Sequence, residues 1–313
     1  MKLSSSTGDF LGYVDTVGDA VRCFADTKFK YINLEFATRL PEWRMESDDG
    51  YLGLIEDLRV AAAEAGVDYV VAHAPLLNPY EGEDENGYSV AMRGLIRSMD
   101  AAARLGIPRI VVHAGTNRSF SKEEFWKKND YFFRDLLDAT EDSGVMVLIE
   151  NMHDKDCYDF TFGREMCDFI NKIGNKRLGA CFDTAHCALN ESARSVGQYE
   201  NMVALGEHLR GLHVSDVLLG CGHQHSWPFA GVINFDEVMS ALCEVKYDGY
   251  FNFEASYTLL HHNNQPQKRK PWQRGDKLVT RLLDPSLELK RKAVDLLYDI
   301  GEYILESYDL FEE

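Results

Sequence analysis

A short apolar strand followed by a helix, repeated along the chain, is the feature that most narrows the choice of fold. The strand pattern recurs at Lys2–Ser6, Tyr31–Phe36, Tyr69–His73, Arg109–His113, Met146–Glu150, Gly179–Asp183, Gly211–Ser215 and Tyr250–Glu254. Runs such as Tyr69-Val70-Val71-Ala72 and Ile110-Val111-Val112 are apolar without alternation, as parallel strands covered on both faces require. Helical spacing predicts Glu56–Ala65, Val90–Leu105, Lys122–Asp142, Glu165–Ile173, Gln198–Leu209, Phe235–Val245 and Leu287–Glu306, the first two ending at Gly66 and Gly106. Eight strands alternating with helices are the count of an α/β protein built as a single (β/α)₈ TIM barrel, and no linker or low-complexity tract divides residues 1–313. Two long connections, 76–88 and 256–284, leave the third and eighth strands on the side where barrel enzymes place their active-site loops.

Charge and composition then exclude several partners. A formal net charge of −18 repels phosphate backbones and anionic membranes, so a nucleic-acid partner is disfavoured. No stretch approaches the ~20 apolar residues a bilayer span needs, and no basic-then-apolar leader opens the chain. The seven cysteines are scattered and contain no CxxC pair, which reads as reduced thiols in a soluble cytoplasmic protein. Homo-oligomerisation stays open at this level.

His73, His113, Glu150, Asp183, His213 and Glu254 each fall at or near the C-terminal end of a predicted strand, on six different strands. In a (β/α)₈ barrel those ends ring one basin, so residues distant in sequence meet there. A single histidine ending a strand is usually a satisfied core or loop residue; six such coincidences are a pattern. Three carboxylates at an apolar mouth repel one another unless a cation neutralises them. Glu150, Asp183, His213 and Glu254 offer three hard oxygens and one imidazole, which suits one Mn²⁺, Mg²⁺ or Co²⁺ and tolerates Zn²⁺. His73, His113, His186, His223 and His225 form a nitrogen-rich set that would favour additional Zn²⁺ or contact substrate. His186 follows Asp183 by three residues, and His223 and His225 alternate on one side of an extended segment. His261 and His262, in the long polar loop, are read as exposed.

At these residues the chain resembles the xylose-isomerase-like barrel superfamily, which groups sugar isomerases and epimerases with apurinic endonucleases of the endonuclease IV type. The matching segments are His73-Ala74-Pro75, Val112-His113-Ala114-Gly115, Ile149-Glu150-Asn151-Met152, Phe182-Asp183-Thr184-Ala185-His186, Leu212-His213-Val214-Ser215-Asp216 and Phe253-Glu254. The resemblance implies that Glu150, Asp183, His213 and Glu254 are metal ligands and that His186 contacts substrate or a second metal. The endonuclease branch carries further ligands at positions similar to His73, His113, His186 and His225, forming a three-zinc site, with an aspartate where this chain has His223. The sugar-epimerase branch often has an arginine where this chain has Leu219, and the Gly-x-Gly turn is replaced by Pro228-Phe229-Ala230-Gly231.

The leading expectation is a metal-dependent isomerase or epimerase of a small sugar or polyol-like substrate. Glu150 and Glu254 would remove and return a proton at a carbon next to a carbonyl. No Gly-rich phosphate cradle is visible, which favours an unphosphorylated sugar. The alternatives are a zinc-dependent phosphoesterase acting on abasic DNA and a non-catalytic sugar- or metal-binding relative.

Overall fold

The computed structural model describes residues 1–36, 48–81, 85–153, 156–220, 223–262 and 270–313, with backbone alone at 48–49, 85–86 and 223–224. Its barrel strands are β1 (Leu3–Ser6), β2 (Tyr31–Glu35), β3 (Asp68–His73), β4 (Arg109–Val112), β5 (Met146–Glu150), β6 (Leu178–Asp183) and β7 (Leu209–His213). A small antiparallel hairpin of β8 (Asp216–Leu218) and β9 (His223–Ser226) precedes the last barrel strand, β10 (Phe251–Phe253). The barrel strands lie in the order β10-β1-β2-β3-β4-β5-β6-β7, every pair parallel. Beyond the ends of β7 and β10, the Val214 N–H donates to the Asn252 carbonyl (2.8 Å) and the Glu254 N–H to the Val214 carbonyl (3.1 Å), which closes the barrel.

The helices are α1 (Val17–Arg22), α2 (Asp48–Ala65), α3 (Glu85–Arg104), α4 (Lys122–Ala139), α5 (Gly163–Ile173), α6 (Thr184–Leu189), α7 (Glu191–Val196), α8 (Gln198–Leu205), α9 (Phe235–Glu244) and α10 (Leu287–Glu306). α5 shows why such segments become helical: Met166, Phe169, Ile170 and Ile173 are buried at three- and four-residue spacing. At the start of α4, the Ser121 side chain and Glu124 satisfy each other's backbone N–H groups in a capping box. α2 and α3 both begin earlier than predicted, and the start of α3 at Glu85 ends the connection after β3 before residue 88. The connection 256–284 is not structureless, because β11 (Gln273–Arg274) and β12 (Lys277–Leu278) form an antiparallel hairpin within it. No helix among the described residues is long and apolar enough to cross a membrane.

Two cores follow from strands covered on both faces. The larger lies between sheet and helices and includes Ile110, Val112, Ile149, Phe182 and Phe253. The smaller fills the barrel with Val70, Val71, Val111, Leu148 and Cys181. Gly211 faces the same interior, since a Cβ there would meet Leu148 Cδ1 at 2.7 Å.

The connection leaving β10 is pinned from below. Lys290 of α10, almost fully buried, donates to the Ser256 and Thr258 carbonyls (3.3 and 2.8 Å) and lies 3.3 Å from the buried Asp9 carboxylate. Ser5 Oγ donates to the other Asp9 oxygen at 2.7 Å. Lys290→Met leaves a buried carboxylate without its cation, so it is expected to cost about 3–5 kcal/mol of folding stability in chemical denaturation. A loss below about 1 kcal/mol would mean that Asp9 is held by Ser5 alone.

Candidate metal centre

Period-two alternation places one residue above each interior side chain at the top of the barrel. Two residues beyond Val71, Val111, Leu148 and Cys181 come His73, His113, Glu150 and Asp183; two beyond Gly211 and Asn252 come His213 and Glu254. β1 and β2 complete the ring with Ser6, whose Oγ donates to Glu35 Oε1.

The ring divides into three adjoining groups. His73 Nε2 lies 3.2 Å from His113 Nε2 and 3.5 Å from Glu150 Oε2, which is 3.0 Å from His113 Nε2. His73 Nδ1 sits 2.8 Å from the Ala74 carbonyl, so it carries the proton and leaves Nε2 as a donor atom for a ligand. Next, His213 Nδ1 lies 2.7 Å from Glu150 Oε1 and 3.0 Å from Glu254 Oε2, with Asp183 alongside. The third group is Asp183, His186 and His225, with His225 Nδ1 3.9 Å from Asp183 Oδ2. His186 Nδ1 meets the Asn151 carbonyl at 2.9 Å. In each group the ligand atoms lie within 4.8 Å of one another. Glu150 belongs to the first two groups and Asp183 to the last two, so each of these carboxylates is shared between neighbouring groups.

Local structure aims both of them. Asp183 is the N-cap of α6: one oxygen accepts the His186 N–H at 2.6 Å, while the other is buried without a donor. Asn151, the residue after Glu150, exchanges two hydrogen bonds with the Asp183 backbone (2.7 and 2.9 Å) and locks β5 to β6. Asp216 plays a different part. Its carboxylate accepts from the backbone N–H groups of Val217, Gly231 and Ile233 and holds the β8–β9 region together.

The electrostatics are those of a site short of positive charge. Burial by itself would raise the Glu150 carboxyl, but the His213 charge and hydrogen bonds from His113 and His213 hold it well below the usual range. Glu254 is likewise kept low, against burial, by His213 and His225. Burial pushes Asp183 up to about 7; His225 opposes the rise, while Glu150 and Glu254 add to it. His213 would lose its proton through burial, yet Cys181, Glu150 and Glu254 raise it well above its ordinary value. The orphaned Asp183 oxygen and the mixed oxygen and imidazole donors fit a divalent cation, and Glu150, Asp183, His213 and Glu254 are the residues that would hold it.

Eight of the nine predicted site residues therefore converge on one basin. The side chain of the ninth, His223, lies outside the described residues. Two features escaped the sequence. Glu35 joins the ring, its carboxyl raised to about 7 by burial and the nearby Glu254 charge. Gly8 makes room for it, since a Cβ there would come within 2.6 Å of Glu35 Oε1. His261 and His262, read as exposed, instead meet Asp284: the His262 N–H donates to Asp284 Oδ1 at 2.7 Å, and His261 Nε2 lies 3.4 Å from Oδ2.

Comparison with known proteins identifies the family of the chain. The family model described as xylose isomerase-like TIM barrel matches residues 21–275. The chain belongs to that family. Within the xylose isomerase-like barrels, it is 25% identical over 177 residues to an inosose isomerase of Bacillus velezensis, a stretch covering 56% of this chain and 63% of that protein. It is 27% identical over 230 residues to a probable endonuclease 4 of Methanoculleus marisnigri, covering 68% and 78% of the two chains. Among solved structures, the IOLI protein with a binding zinc atom superposes with a TM-score of 0.73 at 17% identity over the full length of both chains. D-psicose 3-epimerase of Clostridium cellulolyticum H10, solved with D-tagatose, gives 0.70 at 15% identity over 97% of this chain and 99% of its own. At those identities the structural likeness speaks for the fold.

Proposed function

We propose that the chain is a divalent-metal-dependent isomerase or epimerase of a small unphosphorylated sugar or polyol-like substrate. The observation that carries this reading is the placement of Glu150 and Glu254 on one imidazole nitrogen, His213 Nδ1, at 2.7 and 3.0 Å. A divalent cation held there would supply Lewis-acid stabilisation of negative charge on a substrate carbonyl oxygen. Glu254 removes the weakly acidic proton from the neighbouring carbon, and Glu150 returns one from the other side of the pocket. With the cation held there, both carboxylates would stay ionised and oriented. His186 and Glu35 hold substrate hydroxyls on opposite walls, with Ser6 fixing the Glu35 carboxyl. The inosose isomerase and sugar epimerase relatives support the substrate class. Treatment with a chelator is expected to abolish interconversion of free ketoses and aldoses, and added Mn²⁺, Co²⁺ or Zn²⁺ to restore it. Turnover that survives complete metal removal would end the metal-dependent reading.

A second reading, a zinc-dependent phosphoesterase, is favoured by the two further ligand groups and by the endonuclease 4 relatives. Metal stoichiometry separates the two. If the four-residue group is the working site, His73→Ala and His225→Ala leave the metal content by elemental analysis unchanged. Loss of one equivalent in either variant favours the multinuclear phosphoesterase.

A further inference from the structure

The four most exposed large apolar side chains among the described residues are Leu282 (89%), Leu278 (64%), Tyr303 (64%) and Trp272 (61%). They are not scattered. Three belong to the β11–β12 arm and its exit, and the fourth to α10. On α10, Leu289, Leu296 and Tyr303 are all exposed and seven residues apart, so they form one apolar stripe along a single face. Phe229, also exposed, extends the stripe by packing its ring 6.3 Å from Tyr303.

Charge makes the two surfaces complementary. Among the described residues, 270–281 carry Lys270, Arg274, Lys277 and Arg281 against Asp276 alone, whereas residues 293–313 carry seven carboxylates and no lysine or arginine. Among the described residues, Lys270, Arg274, Lys277 and Arg281 have no carboxylate within 4 Å, and Glu302 and Glu306 have no lysine or arginine. An unpaired basic arm tipped with apolar side chains and a helix that bears an apolar stripe and is acidic beyond Lys292 thus stand on one molecule.

We propose that the arm of one copy docks along the outer face of α10 in a second copy, in a two-fold dimer where each chain gives an arm and receives one. A two-fold arrangement uses both complementary surfaces twice and leaves neither open to further growth. Burial of Trp272, Leu278 and Leu282 against Leu289, Leu296 and Tyr303 drives association, and the opposite charges set register and partner choice. The inference is independent of the chemistry at the barrel mouth.

Sedimentation of the full chain tests it. The wild type is expected at twice 35.6 kDa at tens of micromolar. Leu282→Asp on the arm and Leu296→Asp on the helix should each raise the dimer dissociation constant by at least about tenfold, with unchanged far-ultraviolet circular dichroism, because both side chains are exposed in the monomer. Charge reversal by Arg274→Glu with Lys277→Glu should weaken the dimer, and adding Glu302→Lys with Glu306→Lys should recover it in part. A wild type that stays monomeric, or a dimer indifferent to both aspartate variants, overturns the proposal. A monomer whose arm binds a mixed-sequence oligonucleotide, with the binding lost in Arg274→Glu, overturns it in favour of a polyanion partner.

Discussion

Glu254→Gln is expected to lower sugar turnover by a factor on the order of 10²–10⁴ when assayed at saturating cation. Glutamine keeps the length of the side chain and a carbonyl oxygen that can stay near His213 Nδ1, so shape and one ligand atom survive. What disappears is basicity, in a group that His213 and His225 hold ionised despite burial. Weaker metal binding is a foreseeable side effect, and titrating cation to saturation separates it from the proton-transfer defect. Deuterium entering the substrate from heavy water should fall with the rate. Full activity in the metal-saturated variant would remove Glu254 from acid–base work and leave it a ligand only.

Metal affinity is expected to rise steeply with pH up to about 7 and to go on rising, less steeply, above it. The sign follows from Asp183, whose carboxyl is pushed up to about 7 in the metal-free protein by burial, with Glu150 and Glu254 adding to the rise against His225. Below that pH the group is protonated, and a cation must displace the proton to bind. Each proton displaced lowers the apparent affinity about tenfold per pH unit as the pH falls, and because His213 must also give up a proton held well above its ordinary value, binding at pH 6 releases about two protons. Titration calorimetry in two buffers of different ionisation enthalpy counts the protons directly. Affinity that is flat from pH 5.5 to 7.5 would contradict Asp183 as a ligand. Asp183→Asn should flatten the profile and weaken binding throughout, since the amide oxygen carries no charge.

The barrel was legible in the sequence because parallel strands buried on both faces write themselves as short apolar runs, and the ring of acids and imidazoles because six of the eight runs end at or near one. The same rule ran one residue past Glu35. Ending the second strand at Phe36 put the aromatic at the strand end and hid the carboxylate before it, whereas the pleat turns Phe36 into the core and Glu35 toward Ser6. α1, α6 and α7 were missed because six residues give less than two turns of periodicity, and their signals are caps: Thr16, Asp183 and Asn190 each accept a backbone N–H at a helix start. The β8–β9 hairpin is too short and polar to show a period. Sharing of Glu150 and Asp183 between groups had no sequence signal, because it depends on which of two carboxylate oxygens faces which neighbour. Likewise, nothing in the order of residues pairs His262 with Asp284 across the root of the arm.

The central claim, proton transfer on a sugar rather than phosphodiester cleavage, is tested most directly by one paired assay. A single preparation of the full chain, loaded with divalent cation, is offered a panel of free ketoses and aldoses and, separately, a duplex carrying an abasic site. Interconversion of at least one sugar, with the duplex left intact, is the predicted result. Cleavage of the duplex with every sugar unchanged would contradict the account.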